Sequence, residues 1–276
     1  YQDMFRTLGF EYHFTKKRHL KDGDKPYAYL INDTDFLAQG FQGYVMGSYQ
    51  LPYDAEKNQQ LSFNEIAQKS QGDKKIALLK LDVDNLGNIF SKGLGKSSTV
   101  SRVTSLSRML ALYFEGYINH LIHEKGWQDF LYVVFSGGDD TFIVGAWDKV
   151  LDFAKEFYDK FREFTCYHPQ VTFSAGISIF REDFPVIMSS RITEEALEKA
   201  KNYSEDSSES PKKNKISLFG EVFNWTEFDA VKSFKCLLID IITKHSQERN
   251  GDTIGRAFLY KIWKSTLGFK RILEES

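Results

Sequence analysis

From residue 75 onward the chain alternates between short runs that are apolar throughout and longer stretches whose apolar positions recur at helical spacing. Lys75 to Leu81 reads as a strand that ends in Asp82-Val83-Asp84-Asn85-Leu86-Gly87. From Val103 to about His123 the residues Leu106, Leu110, Phe114, Ile118 and Leu121 trace one helical face. Phe130 to Phe135 reads as a second strand, Ser136 to Asp140 as a tight turn, and Thr141 to Ala146 as a third strand. Asp148 to Phe164 is amphipathic, with Leu151, Ala154, Phe157 and Phe161 on one side. Val171 to Phe180 alternates as a fourth strand. A helix opened by Thr193 as N-cap is expected to run to about Asn202.

This is the βαββαβ order of a ferredoxin-like palm, so the expected fold class is α+β. Three stretches frame the organisation. Residues 1–72 read as a β-rich linker module, with aromatic runs at Phe10 to Phe14, Tyr27 to Ile31 and Phe41 to Tyr49 broken by Asp, Gly and Asn clusters. Within it, Ser62 followed by Glu65 fits a capping box opening a short helix to about Lys69. Residues 73–224 form the palm, which includes a polar, Ser-rich loop from Tyr203 to Pro211 and a further short strand at Ile216 to Phe219. Residues 225–276 read as part of a helical module.

Composition narrows the picture. The formal net charge is −2, so any nucleic-acid contact must be local. The Lys16-Lys17-Arg18-His19 cluster is the candidate, against a plain solvated loop. Cys166 and Cys236 are the only cysteines, which excludes a disulfide framework and fits a cytoplasmic protein. No apolar run is long enough to span a membrane. The chain begins Tyr1-Gln2-Asp3-Met4 and is expected to be a fragment.

The chemistry sits in the carboxylates. Strands one and three of such a sheet lie side by side, which brings Asp82 near Asp139 and Asp140 across more than fifty residues of sequence. Convergent carboxylates repel one another unless a cation neutralises them, and hard oxygen ligands favour Mg²⁺ or Mn²⁺. Gly137 and Gly138 suit a turn with positive φ, and leave room for a nucleotide to approach the backbone. The Leu86-Gly87 segment is expected to begin a helix whose free N–H groups face a triphosphate, and no Walker-type loop occurs. His120 and His123, at i and i+3, read as a solvated pair. Arg102 and Arg108 suit either phosphate or neighbouring acids. Ser174 and Ser178 read as sheet-packing positions.

Five ordered motifs carry a resemblance: LKLDVDNLG from Leu79 to Gly87, Ser101-Arg102 with Leu106-Ser107-Arg108, SGGDD from Ser136 to Asp140, TFSAGI from Thr172 to Ile177, and KNKISLFG from Lys213 to Gly220. Together they resemble the large subunit of type III-A CRISPR effector complexes, a polymerase or cyclic oligoadenylate synthetase related to diguanylate cyclases. The resemblance implies a catalytic palm that converts ATP to cyclic oligoadenylates when the complex pairs with target RNA. It implies two divalent ions held by Asp82, the Val83 carbonyl, Asp139 and Asp140. It implies nucleotide contacts from Asp84, Asn85, Leu86, Gly87, Gly137 and Gly138, with Ser107 near the base. Lys201 matches the phosphate-binding lysine of the cyclases, and Lys213 or Lys215 their second basic residue. The implied partners are the other subunits of the complex, guide RNA and target RNA. The nuclease of that family is not expected here, because no His-Asp dipeptide occurs, and neither are its zinc cysteines or its first palm; alone, the chain is expected to be catalytically incomplete. Two rival readings are a free-standing dinucleotide cyclase and a non-catalytic palm that positions guide RNA.

Overall fold

The apolar run that ends in Asp82 becomes the central strand of a six-stranded sheet in the computed structural model of the chain. The structure describes residues 29–31, 42–44, 52–54, 56, 59–93, 95, 98–204, 213–248, 260–262 and 264–265. The expected strand at Phe10 to Phe14 and the Lys16 to His19 cluster lie outside these residues. The chain divides into two units, Tyr1–Tyr44 and Val45–Ser276. In the first, Tyr29–Ile31 pairs in parallel with Gln42–Tyr44.

The second unit opens with a two-residue ladder, Tyr53–Asp54 against Gln59–Gln60, and helix α1 (Phe63–Gln68). The capping box forms as the sequence indicates: Ser62 Oγ accepts from the Glu65 amide, and the Glu65 carboxylate accepts from the Ser62 amide. Strand β1 (Ile76–Val83) follows. Helix α2 (Val100–Ala111) widens into a π-helical turn at Leu112–Tyr117 and resumes as α3 (Ile118–Glu124). The hairpin β2 (Leu131–Gly137) and β3 (Asp140–Ala146) leads into α4 (Trp147–Phe164) and β4 (Phe173–Phe180). Helix α5 (Val186–Lys201), the hairpin β5 (Lys215–Leu218) and β6 (Glu221–Asn224), and α6 (Trp225–Glu248) follow.

The sheet order is β6-β5-β4-β1-β3-β2, antiparallel throughout except for the parallel β4–β5 pair. The inner four strands, β4-β1-β3-β2, are the ferredoxin-like palm that the sequence predicts. Strand β1 is apolar on both faces because both are covered. Its odd positions Ala77, Leu79, Leu81 and Val83 join a core with Phe114, Phe153, Phe157, Phe161 and Phe173. Its even positions Ile76 and Leu78 pack with Ala67 and Val144 on the opposite face. On that second face the apolar pattern stops at Lys80 and Asp82, which are only half-buried.

Two glycines let the layers close. Gly176, opposite Lys80 on β4, lies under α5: a Cβ there would stand 2.3 Å from the Leu197 backbone nitrogen. Gly145 on β3 would meet the Phe130 carbonyl oxygen at 2.5 Å.

One expectation fails here, and one strand goes unread. Helix α5 starts at Val186, seven residues before the expected N-cap Thr193. Thr193 is buried inside the helix and donates its hydroxyl to the Ser189 carbonyl oxygen at 2.8 Å, the other use of a helical threonine. The helix begins after Pro185, whose position supplies no side-chain cap, so no capping signal marks its start. Strand β6 also escapes the sequence reading, because only four residues pair at the sheet edge. Among the described residues no helix is long and apolar enough to cross a membrane.

Candidate active site at the end of the central strand

Asp82 and Asp140 are direct partners in the β1–β3 ladder, so their side chains leave the same face of the sheet. Asp139 stands next to them at the tip of the β2–β3 hairpin, and its carbonyl oxygen accepts from the Val83 amide at 3.1 Å. The tip is a two-residue loop between the paired Gly137 and Asp140. Gly138 takes φ +65° at its first position while Asp139 does not, the pattern of a type II′ turn. That is the need the sequence assigns to a glycine here.

Burial raises the proton affinity of Asp82 and Asp140, and neighbouring acids add to it. Burial pushes the Asp82 carboxyl above its usual range, Asp139 and Asp84 add to the shift, and Lys201 opposes it. Asp140 is raised in the same direction by desolvation, then by Asp82 and by Glu194 from α5. The nearest cations are shared out. Lys201, the last residue of α5, places Nζ 2.5 Å from Asp82 Oδ2 and 3.7 Å from Glu198 Oε1. Lys80 binds Glu194 at 2.7 Å and lies over the Phe142 ring.

Asp84 takes a different position from the one expected of a nucleotide contact. It is 1% exposed, and its carboxylate accepts from Thr172 Oγ1 at 2.7 Å, Ser174 Oγ at 2.8 Å and the Asn214 amide at 2.9 Å. Its side chain is a latch between β1, β4 and the chain returning into β5. Ser174 is accordingly more than a packing residue. Burial still pushes the Asp84 carboxyl upward against these three hydrogen bonds.

The segment after β1 begins the short helix expected there. Asn85 adopts a left-handed φ of 55°, Leu86–Asn88 makes a single helical turn, and Ile89–Gly93 continues as a π turn. Asn85 lines a cleft of about 720 Å³ together with Asn88, Lys92, Leu106, Thr172 and Lys213. Gly87 is exposed and Leu86 half-buried beside this wall. Ser107 is exposed on α2, and the α2 residue that lines the cleft is its neighbour Leu106. Lys215 is buried with its ammonium over the Tyr203 ring, so of these two lysines it is Lys213 that lines the cleft, along with Lys92. His120 pairs with Glu124 at 3.7 Å.

The sequence reading misses the residues behind the hairpin. Glu115, on the π-helical turn, accepts from the Gly138 amide, and a Cβ on Gly137 would lie 3.5 Å from its Oε1. Ser136 Oγ donates to the Phe114 carbonyl oxygen at 2.5 Å and contacts Thr141 Oγ1 at 2.8 Å. A widened helical turn frees carbonyls and shifts side-chain phase, and nothing in a 3.6-residue pattern announces it.

As donors, Asp82, Asp139 and Asp140 suit a hard divalent cation: oxygen-only, adjacent and mutually destabilising without one. Among the described residues, however, no three His, Cys, Asp or Glu side chains stand close enough to hold a metal ion together. Asp82 is turned to Lys201 instead.

These features define a ferredoxin-like palm domain with an acidic hairpin against the acidic end of its central strand. The profile of the family described as Cas10/Cmr2, second palm domain, matches residues 75–215. The CRISPR system single-strand-specific deoxyribonuclease Cas10/Csm1 (subtype III-A) of Methanocaldococcus jannaschii is 36% identical over 229 residues, covering 70% of this chain and 29% of that protein. A crystal structure of a Csm1-Csm4 cassette in complex with cA3 aligns with TM-score 0.58 and 25% identity, covering 69% of this chain and 28% of that one. The cassette in complex with pppApApA aligns with TM-score 0.57 and 26% identity, covering 68% and 28%. The chain belongs to the Cas10/Csm1 family of subtype III-A, and residues 75–215 are its second palm domain. It spans less than a third of the length of these relatives.

Proposed function

We propose that this palm is the nucleotidyl-transfer centre of an RNA-guided type III-A complex, joining ATP units into cyclic oligoadenylates when target RNA is bound. The observation that carries the reading is the register of Asp82 against Asp140, with Asp139 at the adjoining turn. Cross-strand like charges weaken a sheet, so a purely structural palm gains nothing from keeping them paired. Relatives crystallised with cA3 and pppApApA support the same substrate class.

In this reading Asp82, the Val83 carbonyl, Asp139 and Asp140 hold two Mg²⁺ or Mn²⁺ ions. Those ions, when bound, polarise the α-phosphate and lower the pKa of an attacking 3′-hydroxyl. The protein's own part is positioning. Gly137 and Gly138 present a turn without side chains, so phosphates can approach its backbone. Lys201 and Lys213 supply positive charge to the phosphates. Asn85, Leu86 and Gly87 shape one wall, with the nucleoside in the cleft beside them. A second palm and the other subunits, including a Csm4-type partner and guide RNA, complete the acceptor side. The deoxyribonuclease named for the archaeal relative is not assigned to this palm, since no His-Asp dipeptide occurs in the chain.

The test is incubation of the assembled complex with each NTP and divalent metal, with and without cognate target RNA, followed by mass spectrometry. Cyclic adenylates should form from ATP only with target RNA. The Asp139→Ala, Asp140→Ala double variant should assemble normally and make none. Undiminished synthesis by that variant removes the assignment.

A further inference from the structure

Glu115 is a half-buried carboxylate that makes no ion pair among the described residues. Its partner is the acidic hairpin. The carboxylate accepts from the Gly138 amide, and its Oε1 lies 3.5 Å from where a Gly137 Cβ would stand. Gly138 itself is exposed, and a Cβ on it would meet nothing within 4 Å. The first residue of a two-residue hairpin loop makes no ladder bond through its N–H, which ordinarily goes to water. Here it goes to a carboxylate, a stronger acceptor. The mount is as specific as the contact. Widening the helix at Leu112–Tyr117 deprives carbonyls of their usual α-helical donors. The Phe114 carbonyl takes the Ser136 hydroxyl of the hairpin at 2.5 Å, and the Glu115 carbonyl takes Asn119 Nδ2 at 2.8 Å. Turn and hairpin therefore hold each other at two points, Ser136 and Gly138.

From this geometry we infer that Glu115 is a positioning residue for the proposed transfer: it fixes the tip of the hairpin, and so the direction in which Asp139 and Asp140 leave it. The inference rests on the nucleotidyl-transfer reading above. Strand pairing sets the register of Asp140 against Asp82, but it leaves a tip that begins on two glycines with wide backbone freedom. The Val83 amide holds that tip from one side, through the Asp139 carbonyl. Glu115 holds it from the other, through the Gly138 amide, and its effect on substrate is exerted only through that turn. The widened turn belongs to the same device, because it carries Glu115 and the Phe114 carbonyl to the hairpin together.

The test has two arms. In the full chain labelled with ¹⁵N-glycine, hydrogen exchange of the Gly138 amide is followed by NMR. Wild type should protect this amide although the residue is exposed. Glu115→Ala should speed its exchange about tenfold or more, while Gly145, further along β3, should not change. Glu115→Gln, whose Oε1 still accepts, should have a much smaller effect. In the assembled complex, Glu115→Ala should lower kcat with ATP about tenfold or more at a KM within about twofold of wild type, and Glu115→Gln should restore most of the loss. An unprotected Gly138 amide in wild type overturns the inference, and so does equal acceleration at Gly145, which marks loosening of the whole domain. A wild-type kcat in the Glu115→Ala complex overturns it as well. If Glu115→Ala does not fold, Glu115→Ser takes its place. A wild-type complex that makes no product removes the transfer reading instead, and the exchange arm then decides the clamp by itself.

Discussion

Replacing Asp84 distinguishes an inward latch from a site ligand. In Asp84→Ala the hydroxyls of Thr172 and Ser174 and the Asn214 amide lose a common acceptor in a buried place. A buried donor left unpaired costs about 1–3 kcal/mol. The two hydroxyls can rotate toward other acceptors, and the Asn214 amide still donates to Ser174 Oγ at 3.1 Å, so the cost of each falls near the low end. Against these losses stands relief from burying a carboxylate, the same desolvation that raises the Asp84 pKa. The balance is a loss of about 2 kcal/mol, which lowers the unfolding midpoint by roughly 4–8 °C in a domain of this size.

Asp84→Asn should lose far less, about 1 kcal/mol, because an amide can donate to a hydroxyl that turns to accept. Urea unfolding at pH 7 in EDTA, followed by the fluorescence of Trp225 where it stacks on Tyr158, measures both. A Mn²⁺ titration of each variant completes the comparison. Both variants, where folded, should retain metal binding. A loss below about 1 kcal/mol in the alanine variant refutes the latch. So does a variant of normal stability that has lost Mn²⁺ as fully as Asp82→Ala.

Other outcomes follow from the same geometry. Gly176→Ala puts a methyl group 2.3 Å from the Leu197 nitrogen, so α5 must lift; overpacking of this kind costs about 1–3 kcal/mol, seen as a lower urea midpoint. Asp140→Asn removes a like charge opposite Asp82 and should raise metal-free stability at pH 7 by about 0.2–1 kcal/mol while abolishing synthesis. The pH dependence has a definite sign: Asp82, Asp84 and Asp140 bind protons more tightly folded than unfolded, so their contribution is full below about pH 4 and is lost as pH rises through their folded pKa values. Metal-free unfolding midpoints from pH 4 to 7 should show this loss attenuated in Asp140→Asn, and an unchanged profile counts against the carboxylate coupling.

How much of this was readable beforehand depends on which interaction wrote the signal. Strands β1 to β4 and helices α2 and α4 followed from periodicity, because each buries an apolar stripe or run against a covered face. The nearness of Asp82 to Asp140 followed from topology alone, since the β1–β3 pairing of this fold sets it. The start of α5 did not, because its first residues Val186, Ile187 and Met188 are exposed and carry no cap. The roles of Asp84 and Glu115 were also out of reach. Both depend on partners at a distance in sequence, Thr172 and Ser174 for one and the Gly138 amide for the other. A pattern of residue types records which acids exist, not which way each turns.

That difference in direction organises the strand end. Asp82 on β1 and Asp84 just past its end lie two residues apart, yet one meets a half-buried lysine and the other three buried donors. The inward acid fixes where Asn214, and with it the neighbouring Lys213, enters the cleft wall. The outward acid is held by a cation on a helix that glycine packing keeps in place. An Asp-x-Asp at a strand end therefore does two jobs here: Asp84 binds the fold together, and the half-buried Asp82 faces Lys201. The GGDD hairpin completes the arrangement from the opposite side, with Glu115 and Ser136 fastening the turn to the π-helical segment behind it. The acidic strand end is thus also held by hydrogen bonds and an ion pair, which suits preorganised positioning of a phosphate and its counter-ions.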